Sequence, residues 1–184
     1  MSKQIIYYVE GDCEKKFIDI YKTNPYNVFV HGKVYVFNFI NKIITLDRLS
    51  ALSRNSTIVL IYDTDVANTN NLEANIKILR DHGFHDIIHI QSIKTFEDEL
   101  VYSTSIRNIN EIFNTESDNE FKSKFLRVGN DSIESRLKKL NFNEELIWSR
   151  KTSDPLFLKY YSKENQRMLK QKKSHGKAQT KKCK

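Results

Sequence analysis

The chain has 184 residues, of which 39% are hydrophobic and 29% are charged, and its formal net charge is +7. This length suits one ordinary domain with an appendage, and no apolar run approaches the roughly 20 residues that a membrane-spanning helix needs. The sequence runs directly into a strand-like segment without a signal-peptide pattern. Its two cysteines, Cys13 and Cys183, lie far apart, as is typical of a reducing compartment. We therefore expect a cytoplasmic protein that has no membrane association.

Strand and helix patterns alternate through the first hundred residues. Short apolar runs predict strands at 4–9, 27–30, 33–39, 57–62 and 87–93. Apolar residues at helical spacing predict helices at 14–21, 45–53 and 72–82. We expect Asp12 to cap the first helix and Gly83 to end the third. This order predicts an α/β fold, Rossmann-like, with a mostly parallel sheet flanked by helices.

The pattern becomes mostly helical after residue 95. Helices are predicted at 96–103, 109–113, 119–125 and 132–140, and 145–148 fits either a strand or a short helix. A final helix is expected to open at Asp154-Pro155 and to carry Tyr160 and Tyr161, whose spacing is more typical of core packing than of base stacking. We expect a core domain at 1–104, a helical extension packed on it at 105–169, and a basic tail at 170–184.

The positive charge is concentrated at the C-terminal end, where Glu164 is the only acid after Lys163. A basic segment of this kind favours an anionic partner, and nucleic acid is the first candidate. The alternative is a tail that serves only solubility. The tail residues that we expect to contact phosphates are Lys170, Lys172, Lys173, Lys177, Lys181 and Lys182.

Acidic residues follow two of the predicted strands at the point where each strand ends. Glu10-Gly11 follows the first strand, with Glu14 four residues further on, and Asp63-x-Asp65 follows the strand at 57–62. Ligands gather at the carboxyl ends of parallel strands, and residues two apart in an extended segment face the same side. Clustered carboxylates need a hard cation such as Mg²⁺ to offset their repulsion. Taken separately, each motif also fits surface acids at a helix start or in a turn.

A third acidic group, Glu97-Asp98-Glu99, follows the strand at 87–93 through Lys94 and Thr95. Glu97 is the better candidate for a second metal site, and Lys94 could meet a phosphate or a developing negative charge. The alternative is the acidic first turn of a helix that Thr95 caps.

These motifs together resemble the Toprim domain. The resemblance rests on Val9-Glu10-Gly11-x-x-Glu14-Lys15-x-Phe17, on the Asp63-x-Asp65 strand end and on the order of elements between them, and it covers about residues 4–100. Glu14 and the Phe96-Glu97 segment are most similar to the nuclease branch, which includes overcoming-lysogenization-defect nucleases and small effectors of bacterial anti-phage systems. Val66-Ala67-Asn68 departs from the glycine and further acids of many members, which disfavours primase or topoisomerase chemistry.

The resemblance implies that Glu10 is a metal ligand or proton carrier, that Asp63 and Asp65 bind Mg²⁺, and that Glu14 and Glu97 bind a second metal. Our leading hypothesis is an Mg²⁺-dependent nuclease, with Mn²⁺ as an alternative ion, that cleaves phosphodiester bonds in DNA or RNA, tRNA included. Glu10, Asp63, Asp65 and Lys94 are the catalytic candidates. The resemblance also implies a regulatory partner such as an ATPase or sensor protein.

Two other functions fit the same residues. One is a non-catalytic module that binds nucleic acid or supports assembly on the same fold. The other is a phosphotransfer or phosphohydrolase enzyme for a small substrate, which would have no need of a basic tail. The oligomeric state is left open.

Overall fold

The computed structural model describes residues 3–23 and 27–163, which form an α/β fold around a four-stranded, all-parallel sheet. The strand order is β2-β1-β3-β4. The strands are β1 (Ile5–Val9), β2 (Lys33–Val36), β3 (Thr57–Asp63) and β4 (Ile87–Ser92). The α/β class, the parallel sheet and its flanking helices are as the sequence predicts.

Seven α-helices and one 3-10 helix surround the sheet in the described part of the chain. The α-helices are α1 (Asp12–Tyr21), α2 (Leu46–Ser50), α3 (Asn70–Asp81), α4 (Phe96–Tyr102), α5 (Asp118–Arg127), α6 (Asn130–Lys139) and α7 (Pro155–Leu158). The 3-10 helix spans Ile109–Ile112. Gly83 follows α3 with a φ of +87°, a left-handed conformation that suits glycine, so the expected stop is confirmed.

Side chains alternate between the two faces of the sheet along each strand, and each face packs against its own core cluster. Tyr7 and Val9 of β1 belong to a core cluster that also holds α1, α4, α5 and α6. Ile6 and Tyr8 point to the opposite cluster, which packs against α2, α3 and α7. Strands that are covered on both faces read as continuous apolar runs, which is why these segments are recognisable in the sequence.

The segment from residue 147 to residue 157 contributes to both cores. Ile147 and Trp148 are buried on the α1 face, whereas Phe157 is buried on the α3 face. Both ends of the segment contact edge strand β4. The Trp148 indole donates to Ser92 Oγ, and the Phe157 carbonyl accepts from Gln91 Nε2. This segment therefore closes the β4 edge of the sheet.

Several local predictions are wrong in detail. Helix α1 begins at Asp12 itself, with Gly11 at the cap position, because the chain turns immediately after β1. Residues 27–30 contain only an isolated bridge at Phe29, and 144–148 form turns rather than a strand or helix. Helix α7 ends at Leu158, so Tyr160 and Tyr161 follow it, and Tyr160 packs against the core and stacks on His89. The tail lysines lie outside the described residues.

Candidate functional site

An acidic pocket of about 270 Å³ lies at the carboxyl ends of β1 and β3. Its charged lining residues are Glu10, Asp12, Glu14, Asp63, Glu97 and Lys122. Strand ends supply two of these acids, and the first turns of α1 and α4 supply the other three. Acids are favourable in such first turns because the helix dipole is positive there. The structure therefore gathers residues from the three acidic motifs around one cavity.

Glu10 directly follows β1 and is held from two sides. Its Oε2 accepts a hydrogen bond from Asn38 Nδ2 at 3.0 Å, and its Oε1 accepts one from the Asp63 backbone N–H at 3.3 Å. Asn38 is itself fixed, because its Oδ1 accepts from the N–H groups of Ile40 and Asn41. Burial, and then the charges of Glu14 and Asp65, raise the pKa of Glu10 to about 7. The carboxylate is rigidly placed and easily protonated.

Asp63 is the last residue of β3 and the most perturbed acid in the pocket. Its Oδ1 is buried and has no hydrogen-bond partner. The side chain of Ser92, which pairs with Asp63 in the register of β3 and β4, lowers the pKa of Asp63, but larger effects raise it. Those effects are burial first and then the charges of Glu10 and Glu14, which raise the pKa of Asp63 to about 9. An unsatisfied buried acceptor typically costs about 1–3 kcal/mol. Such a group is expected where a ligand completes the site.

Asp65 does not share the position of Asp63. The strand ends at Asp63, and Thr64 turns toward β4, donating its N–H to the Lys94 carbonyl at 3.0 Å and its hydroxyl to the Ser92 carbonyl at 2.9 Å. The strand therefore does not extend through Asp65, as the spacing argument assumed. Asp65 is exposed and does not line the pocket, although its charge still raises the pKa of Glu10.

Glu14 lies in the first turn of α1 and is only 7% exposed, so it is not an ordinary surface acid. A Cβ atom at Gly11 would lie 3.0 Å from Glu14 Oε2, which is tighter than most real contacts. Glycine at this position lets the Glu14 carboxylate fold against the strand-to-helix turn. Burial, with Glu97 as the largest nearby charge, raises the pKa of Glu14 to about 7.

Glu97 faces the pocket and forms a 3.2 Å ion pair with Lys122. Thr95 caps α4 by accepting a hydrogen bond from the Asp98 N–H. Glu97 therefore lies both in the acidic first turn of a capped helix and in the pocket lining. Glu99, by contrast, points into the core. Lys122 comes from α5. It could not be predicted from the sequence, because nothing local in a basic helical segment shows which lysine will contact an acid 25 residues earlier.

Lys94 is placed differently from the prediction for a catalytic lysine. Lys94 is exposed and does not line the pocket, and its backbone has a φ of +68°. The Lys94 N–H donates to the Thr64 hydroxyl at 3.1 Å, and its carbonyl accepts from the Thr64 N–H. Lys94 therefore joins the ends of β3 and β4, and Lys122 is the lysine that lines the pocket.

The pocket fits a hard divalent cation in its donor chemistry. Carboxylate and amide oxygens are the ligands that Mg²⁺ prefers, and the unpaired Asp63 Oδ1 is such an oxygen. The pocket volume also exceeds the roughly 30 Å³ that one water molecule occupies, which leaves room for a hydrated ion. As they stand, however, no three His, Cys, Asp or Glu side chains within 3–23 and 27–163 converge to form a metal-binding group.

Comparison with known proteins returned no significant match to any family model, curated protein or solved structure. Within the part of the chain that the structure describes, no helix has the length and apolar character to cross a membrane.

Proposed function

We propose that the protein is an Mg²⁺-dependent nuclease of the Toprim type. The observation that carries the proposal is that Glu10 and Asp63 lie at the carboxyl ends of adjacent parallel strands and line one pocket. The Asp63 backbone N–H donates a 3.3 Å hydrogen bond to Glu10 Oε1. The Toprim resemblance assigns the metal-binding acids to these two strand ends. Their juxtaposition is what that assignment requires.

The charge balance of the pocket supports a cation as the missing partner. Five acids line the cavity and Lys122 is its only lining cation among the described residues. The pKa values of Glu10, Glu14 and Asp63 are all raised, with burial as the first cause. A divalent ion offsets both the burial and the mutual repulsion of these carboxylates.

Individual residues have distinct parts in this proposal. Glu10 and Asp63 would hold the ion from the strand ends, with Asp65 approaching from outside the lining. Glu14 and Glu97 would hold a second ion. When bound, Mg²⁺ supplies a more acidic water and stabilises charge on phosphate oxygens. Lys122, released from Glu97, would contact a substrate phosphate.

The substrate proposal rests on charge beyond the pocket. The segment from Lys163 onward contains nine basic residues and one acid. Polycationic segments bind nucleic-acid backbones in a salt-dependent manner. DNA and RNA, including tRNA, both fit this description. A regulatory ATPase or sensor and a role in anti-phage defence remain predictions from the resemblance.

The test is cleavage of end-labelled DNA and of tRNA in Mg²⁺, Mn²⁺ or EDTA. We expect cleavage only with a divalent ion, and a loss of about 1,000-fold or more in Asp63→Asn and Glu10→Gln, since these changes remove the main ligands. Glu116→Gln, which alters an exposed acid away from the pocket, is the matched control.

Three results would contradict the proposal. Cleavage that persists in EDTA would exclude the metal mechanism, and full activity of Asp63→Asn would place the chemistry elsewhere. Nucleic-acid binding without cleavage under every metal condition would favour the non-catalytic module.

A further inference from the structure

The edge strand β2 carries basic and aromatic side chains along one face. Lys33, Tyr35 and Phe37 are two positions apart, so they lie on the same side of the extended segment. Phe37 continues the strand pairing, because its N–H donates to the Val9 carbonyl at 2.8 Å. Tyr35 pairs with Tyr8, which belongs to the core cluster on the α2 face of the sheet. These side chains therefore lie on the α2 face, at an edge of the sheet that no other described strand covers.

The Tyr35 ring is held on one side and open on the other. Its centroid lies 5.7 Å from that of Tyr8, yet 36% of the residue is exposed. Tyr8 in turn packs against Phe37 and Phe39, so Tyr35 rests on a fixed aromatic cluster. A ring that its neighbours already hold can stack on a nucleobase with little further loss of side-chain entropy.

Uncompensated positive charge surrounds this ring. The segment 33–48 contains three basic residues, Lys33, Lys42 and Arg48, and one acid, Asp47. All three basic residues are exposed, and none forms an ion pair within 3–23 and 27–163. The Arg48 guanidinium lies 5.1 Å from the centre of the Phe37 ring, which places it beside the row. Cations next to an exposed aromatic ring fit a single strand of nucleic acid, since phosphates meet the charges and bases stack on the ring.

The same segment leads into the acidic pocket. Asn38 directly follows Phe37, lines the pocket and donates to Glu10 Oε2. The Asn38 carbonyl accepts from the Lys42 N–H at 3.0 Å, so exposed Lys42 lies in the turn at the pocket end of the strand. A ligand that lies along β2 would therefore reach the pocket at the carboxyl end of the strand.

We propose that Lys33, Tyr35, Phe37 and Arg48, here called the edge row, bind a single strand of nucleic acid and direct it to the pocket. Tyr35 stacks on a base, and Lys33 and Arg48 contact phosphates. Delivery of a phosphodiester bond to the pocket rests on the proposed function, whereas binding of the strand does not. Bases in a duplex are already stacked on one another, so the edge row should prefer a single strand.

The stacking contact is tested with a labelled oligothymidylate of about 12 nucleotides. Fluorescence anisotropy in EDTA measures its affinity without metal-dependent cleavage. We expect about 10-fold weaker binding in Tyr35→Ala and near-normal binding in Tyr35→Phe, because phenylalanine keeps the stacking face. A duplex of the same length should show no such loss. Val36→Ala is the matched control, since Val36 is also 36% exposed on β2 but lies on the opposite face of the sheet.

The phosphate contacts are tested by the salt dependence of the same binding. Each phosphate contact to a single strand contributes about 0.7 to the slope of log affinity against log salt. Lys33→Gln and Arg48→Gln should each lower the slope by about that amount, whereas Tyr35→Ala should leave it unchanged. Lys77→Gln, on the exposed surface of α3, is the control. Unchanged slopes in both Lys33→Gln and Arg48→Gln would contradict the assigned phosphate contacts.

Photocrosslinking locates the strand on the unmodified protein. An oligonucleotide that carries 5-iodouracil should crosslink to Tyr35, and mass spectrometry of the digested product identifies the residue. Crosslinks found only outside the edge row would overturn the inference.

The outcomes separate this inference from the nuclease proposal. If Tyr35→Ala binds as well as Val36→Ala, Tyr35 serves packing alone and the inference is wrong, whatever the cleavage assay shows. If Tyr35→Ala dissociates a dimer in sedimentation velocity and leaves oligonucleotide affinity unchanged, a second copy occupies the edge row and the inference is also wrong. If the edge row binds the strand but no divalent ion supports cleavage, the nuclease proposal fails and single-strand binding stands.

Discussion

Two groups of buried acids lie near the carboxyl ends of the strands, and they differ in how their charge is compensated. Glu99 is 0% exposed and is paired with Arg150 at 2.8 Å. The pKa of Glu99 is raised, because burial outweighs the hydrogen bonds from Ile93 and Trp148 and the charge of Arg150, which all lower it. The neighbours of Asp63 are mainly other acids, and they raise its pKa further.

The comparison separates structural acids from candidate functional ones. Glu99 has donors for both of its oxygens, so it joins α4, β4 and the Trp148 turn without need of a ligand. Asp63 keeps a buried oxygen without a partner. A fold that places acids this way is less stable than it could be, which is common where a site must bind something.

The largest effect on stability is expected from breaking the compensated group. Glu99→Ala removes the acceptor of two backbone N–H groups and the carboxylate partner of Arg150. Loss of one partner of a buried pair costs about 3–5 kcal/mol. We expect the free energy of unfolding, measured with urea, to fall by about 3 kcal/mol. This is the lower end of that range, because the Arg150 side chain is 27% exposed. Glu116→Ala, an exposed acid, should change it by less than about 0.5 kcal/mol. Equal losses in both variants would mean that Glu99 is not a structural anchor.

A divalent ion should stabilise the uncompensated group. A ligand at 100 times its dissociation constant adds about 2.7 kcal/mol to the free energy of unfolding. Mg²⁺ should therefore raise the thermal midpoint of the unmodified protein, and it should do so far less in Asp63→Asn. NaCl at matched ionic strength is the control, and the same rise with NaCl would show only charge screening.

Replacing the Asp63 carboxyl group with an amide should stabilise the metal-free protein. Because its folded-state pKa is raised from 3.8 to about 9, Asp63 lowers stability progressively as pH rises from about 4 to about 9. Asp63→Asn removes this penalty, and we expect a gain on the order of 2 kcal/mol at pH 8 and a smaller gain at pH 5. Urea unfolding at both pH values, without divalent ions, measures it. A variant that is less stable at pH 8 would contradict the pKa assignment.

The smallest effect is expected at Lys122, which lines the pocket. The Lys122 side chain of the Lys122–Glu97 ion pair is half exposed to solvent. Lys122→Met should therefore change the free energy of unfolding by less than about 1 kcal/mol. If Lys122 contacts phosphate, its loss should reduce the salt slope of nucleic-acid binding by about 1. Fluorescence anisotropy in EDTA measures this slope. Lys77→Met, on an exposed pair of α3, is the matched control and should leave it unchanged.

Local patterns in the sequence predicted the main parts of the fold. The strand runs of β1, β3 and β4 are apolar because both faces of the sheet are covered, and this burial makes them visible in one dimension. The alternation of strands and helices then predicted parallel pairing. The positions of Glu10 and Asp63 at adjacent strand ends follow from that pairing.

The contacts between distant segments were decided by tertiary structure. Three residues reach the site or its supporting network from segments that carry no motif: Asn38, Lys122 and Trp148. The chain turns at Thr64, and the residues Asp65 and Lys94 on either side of that turn lie outside the pocket lining. Contacts between residues that lie 25 to 56 positions apart depend on how distant segments pack, and no local spacing predicts them. The sequence by itself therefore determined which acids end the strands. Packing alone determined which of them are buried, which are paired, and which oxygen is left for a ligand.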